Sequence, residues 1–110
     1  MKKFIAIYHA PAEAMAQNAN VSPEEREAGM KLWFDWKENN GDKVIELGAP
    51  LGGGLSINPE GQLTDSTKEV AGYSVVQGES REDAQKLFDG HPHLSWHPKA
   101  YIELHEVIDL

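Results

Sequence analysis

Alternation of apolar and polar positions marks the strands of this chain, and helical spacing marks its helices. Lys3 to His9 alternates and is rich in β-formers, with Phe4, Ala6 and Tyr8 on one face and Ile5, Ile7 and His9 on the other. Lys43 to Ala49 reads as a second strand, closed by Gly48-Ala49-Pro50. Val70 to Gln77 reads as a third, with Ala71, Tyr73, Val75 and Gln77 opposite Gly72, Ser74 and Val76. Ala100 to Ile108 reads as a fourth, with Tyr101, Glu103, His105 and Val107 opposite Ile102, Leu104, Glu106 and Ile108.

Two helices lie between these strands. Ser22-Pro23-Glu24-Glu25 is a start signal: Ser22 caps, Pro23 suits the first turn, and Glu25 completes a capping box. This helix should run to about Asn39, with Gly41 as a left-handed stop. Gly29, Leu32, Trp36 and Asn39 form one stripe, which Met30, Trp33, Phe34 and Lys37 widen. Trp33 and Trp36 read as core; the alternative is that one lines a pocket or a subunit interface. Ser80-Arg81-Glu82-Asp83 opens the second helix, which buries Ala84, Leu87 and Phe88 and stops at Gly90. Ala10 to Val21 reads as a crossover loop with at most a short helical turn before Asn18 and Asn20. Leu55-Ser56-Ile57 and Gln62-Leu63-Thr64 flank the turn Asn58-Pro59-Glu60-Gly61 as a small hairpin. Gly52-Gly53-Gly54 lacks the following Lys-Ser/Thr and helix of a phosphate loop, and reads instead as a bend or a close backbone approach.

The element order β-α-β-(hairpin)-β-α-β is that of an α+β, ferredoxin-like βαββαβ domain with an inserted β-hairpin. Both helices then cover one face of an antiparallel sheet. The other face needs a cover, and pairing two sheets across a two-fold axis supplies one, so a homodimer is expected. In this arrangement the first strand neighbours the third and the fourth, which brings His9 near the His105 strand.

The chain has 110 residues, which suits one domain. Its formal charge of -8 and scattered Lys and Arg argue against nucleic acid as a partner. No cysteine is present, which excludes disulfides and thiolate metal sites and fits a reducing compartment. The run after Met1-Lys2-Lys3 is too short and polar for a secretory signal, and no apolar run approaches the ~20 residues of a membrane span. These features lead to the expectation of a cytoplasmic protein.

Three of the five histidines crowd into Gly90-His91-Pro92-His93-Leu94-Ser95-Trp96-His97. Imidazoles at this spacing suit a metal, but Pro92 bends the segment and no His-Glu-x-x-His motif is present, so no metal and no cofactor is assigned. His91 reads either as a helix-end residue or, with His93, as an acid, base or hydrogen-bond donor at a pocket edge. Glu103 and His105 share a strand face, where a carboxylate can orient an imidazole. Nothing resembles a Gly-x-Ser-x-Gly elbow, and Ser95 makes no readable triad.

Several stretches together resemble the YCII-related family. They are the opening strand with Tyr8, Gly48-Ala49-Pro50, Glu69-Val70-Ala71-Gly72-Tyr73-Ser74-Val75-Val76, the Ser80 helix, Gly90-His91-Pro92-His93-Leu94, and Glu103-x-His105-Glu106. The resemblance covers nearly the whole chain. It implies a ferredoxin-like fold that dimerises into an α+β barrel. Some relatives carry a His–Asp pair proposed as catalytic, and one branch is linked to dehydrochlorination of a ring-cleavage intermediate. Here Met30 stands where such relatives have the first-helix histidine, and His91 stands where they have Asp before Pro. The resemblance therefore implies a location, a cleft between the first helix and the segment after the second. His91 and His93 become the candidate catalytic residues, and Met30, Trp33, Tyr73, His9 and His105 the candidate substrate contacts.

These readings lead to a small-molecule-binding protein, a lyase or isomerase using histidine acid–base chemistry. The alternatives are a non-catalytic binding or regulatory module, and, by fold analogy alone, a cofactor-independent monooxygenase.

Overall fold

Four strands join in one antiparallel sheet in the order β2-β5-β1-β6, where β1 is Lys2–His9, β2 Val44–Pro50, β5 Val70–Gly78 and β6 Tyr101–Glu106. The computed structural model describes residues 1–110. The remaining strands, β3 (Leu55–Ile57) and β4 (Leu63–Asp65), form a separate two-stranded hairpin between β2 and β5. The helices are α1 (Ala12–Ala19), α2 (Pro23–Asn40), α3 (Arg81–Gln85) and α4 (Pro92–Trp96), with 3₁₀ turns at Gly41–Lys43 and Lys86–Phe88. The molecule is thus an α+β protein with an antiparallel sheet.

The cap residues act as their sequence suggests. Ser22 Oγ accepts from the Glu25 N–H at 3.1 Å and Ser80 Oγ from the Asp83 N–H at 3.1 Å. Two segments depart from the expectation. Ala10 to Val21 is not all loop: an alanine-rich stretch forms α1, whose start is held by the Glu69 carboxylate accepting from the Ala12 N–H at 2.7 Å. The histidine segment is not a bent loop but α4, because Pro92 occupies its first turn, where a missing N–H does no harm. α2 does stop at Gly41, whose φ of 57 is positive as expected, but its ψ of -132 lies outside the left-handed helical region and the chain goes on into a 3₁₀ turn.

The core lies between the sheet and the helices. Phe4, Ala6 and Tyr8 pack with Val44, Val76, Trp36, Ala84, Leu87 and Phe88. The indole N–H of Trp36 donates to the Leu87 carbonyl at 2.6 Å and sets the rotation of α2. Trp33 follows Trp36 inward, while Met30, Leu32 and Phe34 face solvent. On β5 the inward face is Gly72, Ser74, Val76 and Gly78, which leaves Tyr73 and Val75 on the uncovered side. β2 carries irregular pairing at Glu46–Ala49. There Gly48 has φ 83, and a Cβ would overlap the Tyr73 carbonyl oxygen.

The opposite sheet face has no layer on it. The molecule is 21 Å thick along its shortest axis, and its radius of gyration is 15.2 Å, against about 13 Å for a chain of this length. Its accessible surface is 7792 Å², against about 6,000 Å² for a monomer of this mass. No helix is long and apolar enough to cross a membrane.

Candidate functional site

Two hydrogen-bond networks lie back to back on the sheet and meet at His9. The first is in the core. His91 caps α4: its Nδ1 accepts from the His93 N–H at 3.0 Å. A neutral imidazole that accepts at Nδ1 carries its proton on Nε2. That Nε2–H faces the Tyr8 hydroxyl at 3.3 Å; Tyr8 donates to Ser74 Oγ at 2.7 Å, and Ser74 donates to the Leu47 carbonyl at 2.5 Å. A carbonyl only accepts, so the chain runs in one direction from His91 to Leu47. Tyr8, Trp33, Trp36 and Phe88 surround the His91 ring, with centroids between 4.5 and 5.6 Å away.

The electrostatics follow from this enclosure. Burial, with the neighbouring His93 adding to it, pushes His91 down to about 3. Burial likewise holds the Tyr8 phenol well above its usual range, against the opposing Ser74 hydrogen bond. His91 is 0% exposed and both of its nitrogens are engaged. It has no lone pair to offer a substrate at neutral pH.

The second network joins the first at its His91 end, through His93. The buried His93 donates from Nε2 to the His9 carbonyl at 2.9 Å. Burial lowers the His93 pKa, while the His9 and Tyr101 carbonyls oppose that shift. His9 sits at a bulge, because β1 and β5 slip register between Tyr8 and His9. Glu69, opposite, is the one non-glycine residue with positive φ, at 54°. Its carbonyl accepts from the Ala10 N–H at 3.1 Å, which ties the strained turn to β1.

The turn aims two acceptors at one ring. His9 Nδ1 lies 2.9 Å from the Lys68 carbonyl, and Nε2 lies 2.9 Å from Glu103 Oε1. The Lys68 carbonyl can only accept, so it takes the Nδ1–H, and the Nε2–Oε1 distance is that of a hydrogen bond between ring and carboxylate. Tyr101 stacks on the His9 ring at 4.6 Å with 5° between planes, and His105 Nε2 lies 3.8 Å from Glu103 Oε1. His9 is buried, whereas the Glu103 side chain is 50% exposed. Glu103 is where solvent reaches the network.

The sequence candidates separate into three groups. His91, His93 and Trp33 are brought together, as packed core beside Tyr8 rather than as the wall of a cleft. His9 and His105 meet through Glu103 on the uncovered sheet face. Met30 joins neither; it lies on the outer face of α2 beside Glu27, Lys31 and Phe34, because the Trp36 anchor turns it away from His91. Tyr73 shares the uncovered face with His9, but its hydroxyl donates to Glu46 on β2. His97 is separate again, its Nδ1 accepting from the Lys99 N–H at 3.0 Å. No three His, Asp or Glu side chains are placed to hold a metal ion. The groove between α2 and α4, lined by Leu32, Asn39, Asp89 and Pro92, is reached by none of the histidine rings.

Glu103, Tyr101 and the Lys68 carbonyl are the parts of this arrangement that sequence reasoning does not place around His9. The available signal is the strand alternation that puts Tyr101, Glu103 and His105 on one face; the pairing of His9 with Tyr101 supplies the rest. A scan against models of known protein families finds no match to this chain, and a search of curated proteins finds none either.

Proposed function

We propose that this chain is a YCII-like, ferredoxin-like subunit that pairs sheet to sheet in a homodimer. It binds a small molecule against the His9–Glu103 pair and moves one of its protons in a lyase- or isomerase-type step. The observation that carries the reading is the 2.9 Å contact between His9 Nε2 and the half-exposed Glu103 carboxylate on an otherwise uncovered sheet face. The acid–base role sits on this pair rather than on His91, both of whose ring nitrogens are engaged in the core, or on His93, which is buried and spends its Nε2–H on the His9 carbonyl. Those two residues position β1, since His93 holds the His9 carbonyl.

The chemistry needs no co-reactant. Glu103 takes a proton from a carbon next to a carbonyl; the C–H electron pair moves into the enolate, and the proton joins the His9–Glu103 pair. Its return to a different carbon completes an isomerisation; in an elimination the enolate electrons form the C=C bond, the β-substituent leaves with the electron pair of its own bond, and the proton passes from the pair to that substituent or to water. Tyr101 and the Ile5, Ile7 and Val75 side chains of the same face offer an apolar bed for an aromatic or aliphatic carbonyl compound.

The dimer is supported by area. The surface exceeds the monomer expectation by about 1,700 Å², within the roughly 1,000–2,500 Å² that each subunit of an obligate pair buries. A second sheet over the first also excludes water from Glu103.

The test is proton washout. The protein is mixed in D₂O with a panel of small carbonyl compounds, and loss of α-proton signal is followed by NMR. Exchange with at least one compound, abolished in Glu103→Gln and kept in His91→Asn, is expected. No exchange across the panel, or exchange indifferent to Glu103→Gln, would end the enzymatic reading.

A further inference from the structure

The β3–β4 hairpin has one apolar side with nothing on it. Its register pairs Leu55 with Asp65, Ser56 with Thr64 and Ile57 with Leu63. Leu55, Ile57 and Leu63 therefore share one face with Asp65 at its end nearest the sheet, while Ser56 and Thr64 share the other. The three apolar residues are 54%, 67% and 60% exposed. An isolated two-stranded ribbon is marginal in water, and here its strands pair with no other strand. The turn itself is well built: Asn58 Oδ1 accepts from the Glu60 and Gln62 N–H groups at 3.1 and 2.8 Å. A defined ribbon with so much exposed apolar surface gains by burying it against another surface.

We propose that this hairpin is an arm that reaches across to a second copy of the chain and roofs the His9–Glu103 site of that partner. The inference rests on the sheet-to-sheet dimer and goes beyond it, because it makes each site depend on both subunits. One observation and two geometric arguments support it. The first is position. The hairpin leaves the sheet after Pro50 of β2 and returns at Val70 of β5, the same sheet end at which β1 finishes with His9 and β6 begins with Tyr101.

The second is symmetry. A two-fold axis lying between the sheets and parallel to the strands keeps equivalent strand ends together and exchanges the two edges. It sets the β2 edge of one subunit over the β6 edge of the other, because β2 and β6 are the outer strands. The arm of one subunit is then above the Tyr101 end of the other. The third is reach. Gly54 to Pro59 spans about 17 Å in extended form, more than the ~10 Å between stacked sheets. The arm's apolar face adds to the same surplus area that the dimer has to bury.

Cross-linking tests the arm separately from the dimer. The chain has no cysteine, so Ile57→Cys gives a unique attachment point for a benzophenone maleimide. Isotopically light and heavy chains are mixed, irradiated and digested. The expected product joins position 57 of one chain to the segment 100–106 of the other. A dimer by light scattering whose cross-links all stay within one chain overturns the arm and leaves the sheet pairing intact. A monomer overturns both. As a second variant, Leu55→Ser with Ile57→Thr and Leu63→Thr removes the apolar face without touching the core. It should keep the fold by circular dichroism and raise the dimer dissociation constant at least about tenfold. An unchanged constant counts against the arm.

Discussion

Replacing His91 by asparagine separates a buried structural histidine from a catalytic one through pH. The free imidazole has a pKa near 6.5, and enclosure by Tyr8, Trp33, Trp36 and Phe88 pushes that of native His91 down to about 3. Between those values the unfolded chain binds a proton that the native chain refuses. Stability is therefore full above pH ~6.5 and is lost as the pH falls toward 3. Integrated from pH 7 to pH 5, the loss from His91 is about 2 kcal/mol, and by pH 4 about 3 kcal/mol. His93 is shifted the same way and adds to the slope.

The substituted asparagine would keep the cap, since its side-chain oxygen accepts from the same N–H, but it does not titrate. His91→Asn should lower stability at pH 7 by ~2–3 kcal/mol for the ring volume removed. It should also lose about 2 kcal/mol less than the wild type between pH 7 and pH 5. Urea unfolding followed by the fluorescence of Trp33 and Trp36, at one fixed protein concentration, measures both. Parallel losses in the two proteins would refute the buried neutral histidine.

Tyr8→Phe removes the acceptor for His91 Nε2–H while Ser74 keeps its bond to Leu47, so about 1–3 kcal/mol should be lost in the same assay; an unchanged midpoint would break the directed chain. Gly48→Ala places a methyl group into the Tyr73 carbonyl at a backbone angle that alanine resists, and should cost more than ~2 kcal/mol. A Gly48→Ala protein as stable as the wild type would mean that β2 does not bulge there.

Much of the sheet is readable from the sequence, for a physical reason. Period-two alternation states which residues share a face, and Phe4, Ala6 and Tyr8 are apolar enough to show which face is inside. On β5 both faces are mixed, and the inward one is chosen by Ser74, whose hydroxyl is satisfied by Tyr8 and Leu47. No alternation rule contains that partnership. The phase of α2 is hidden in a similar way. Its apolar residues run around most of the helix, and the single bond from Trp36 to Leu87 turns Trp33 inward and Met30 outward. The α4 start is present in the sequence as Pro92, which reads as a bend until a capping group is found for it, and the group is an imidazole rather than the usual hydroxyl or carboxylate. At the site, strand adjacency brings His9 and β6 together on paper. The pairing with Glu103 depends on the bulge at His9 and the positive φ of Glu69, which local pattern does not reveal.

Ligands are expected to meet this protein at His9 and Glu103. The direct measurement is a two-dimensional amide NMR titration with a panel of small aromatic and carbonyl compounds, mapped residue by residue. Shifts concentrated at Ile7, His9, Tyr101 and Glu103, and lost in Glu103→Gln, are expected. Shifts gathered around Met30 and Phe34, or along the groove between α2 and α4, and unaffected by Glu103→Gln, would contradict this.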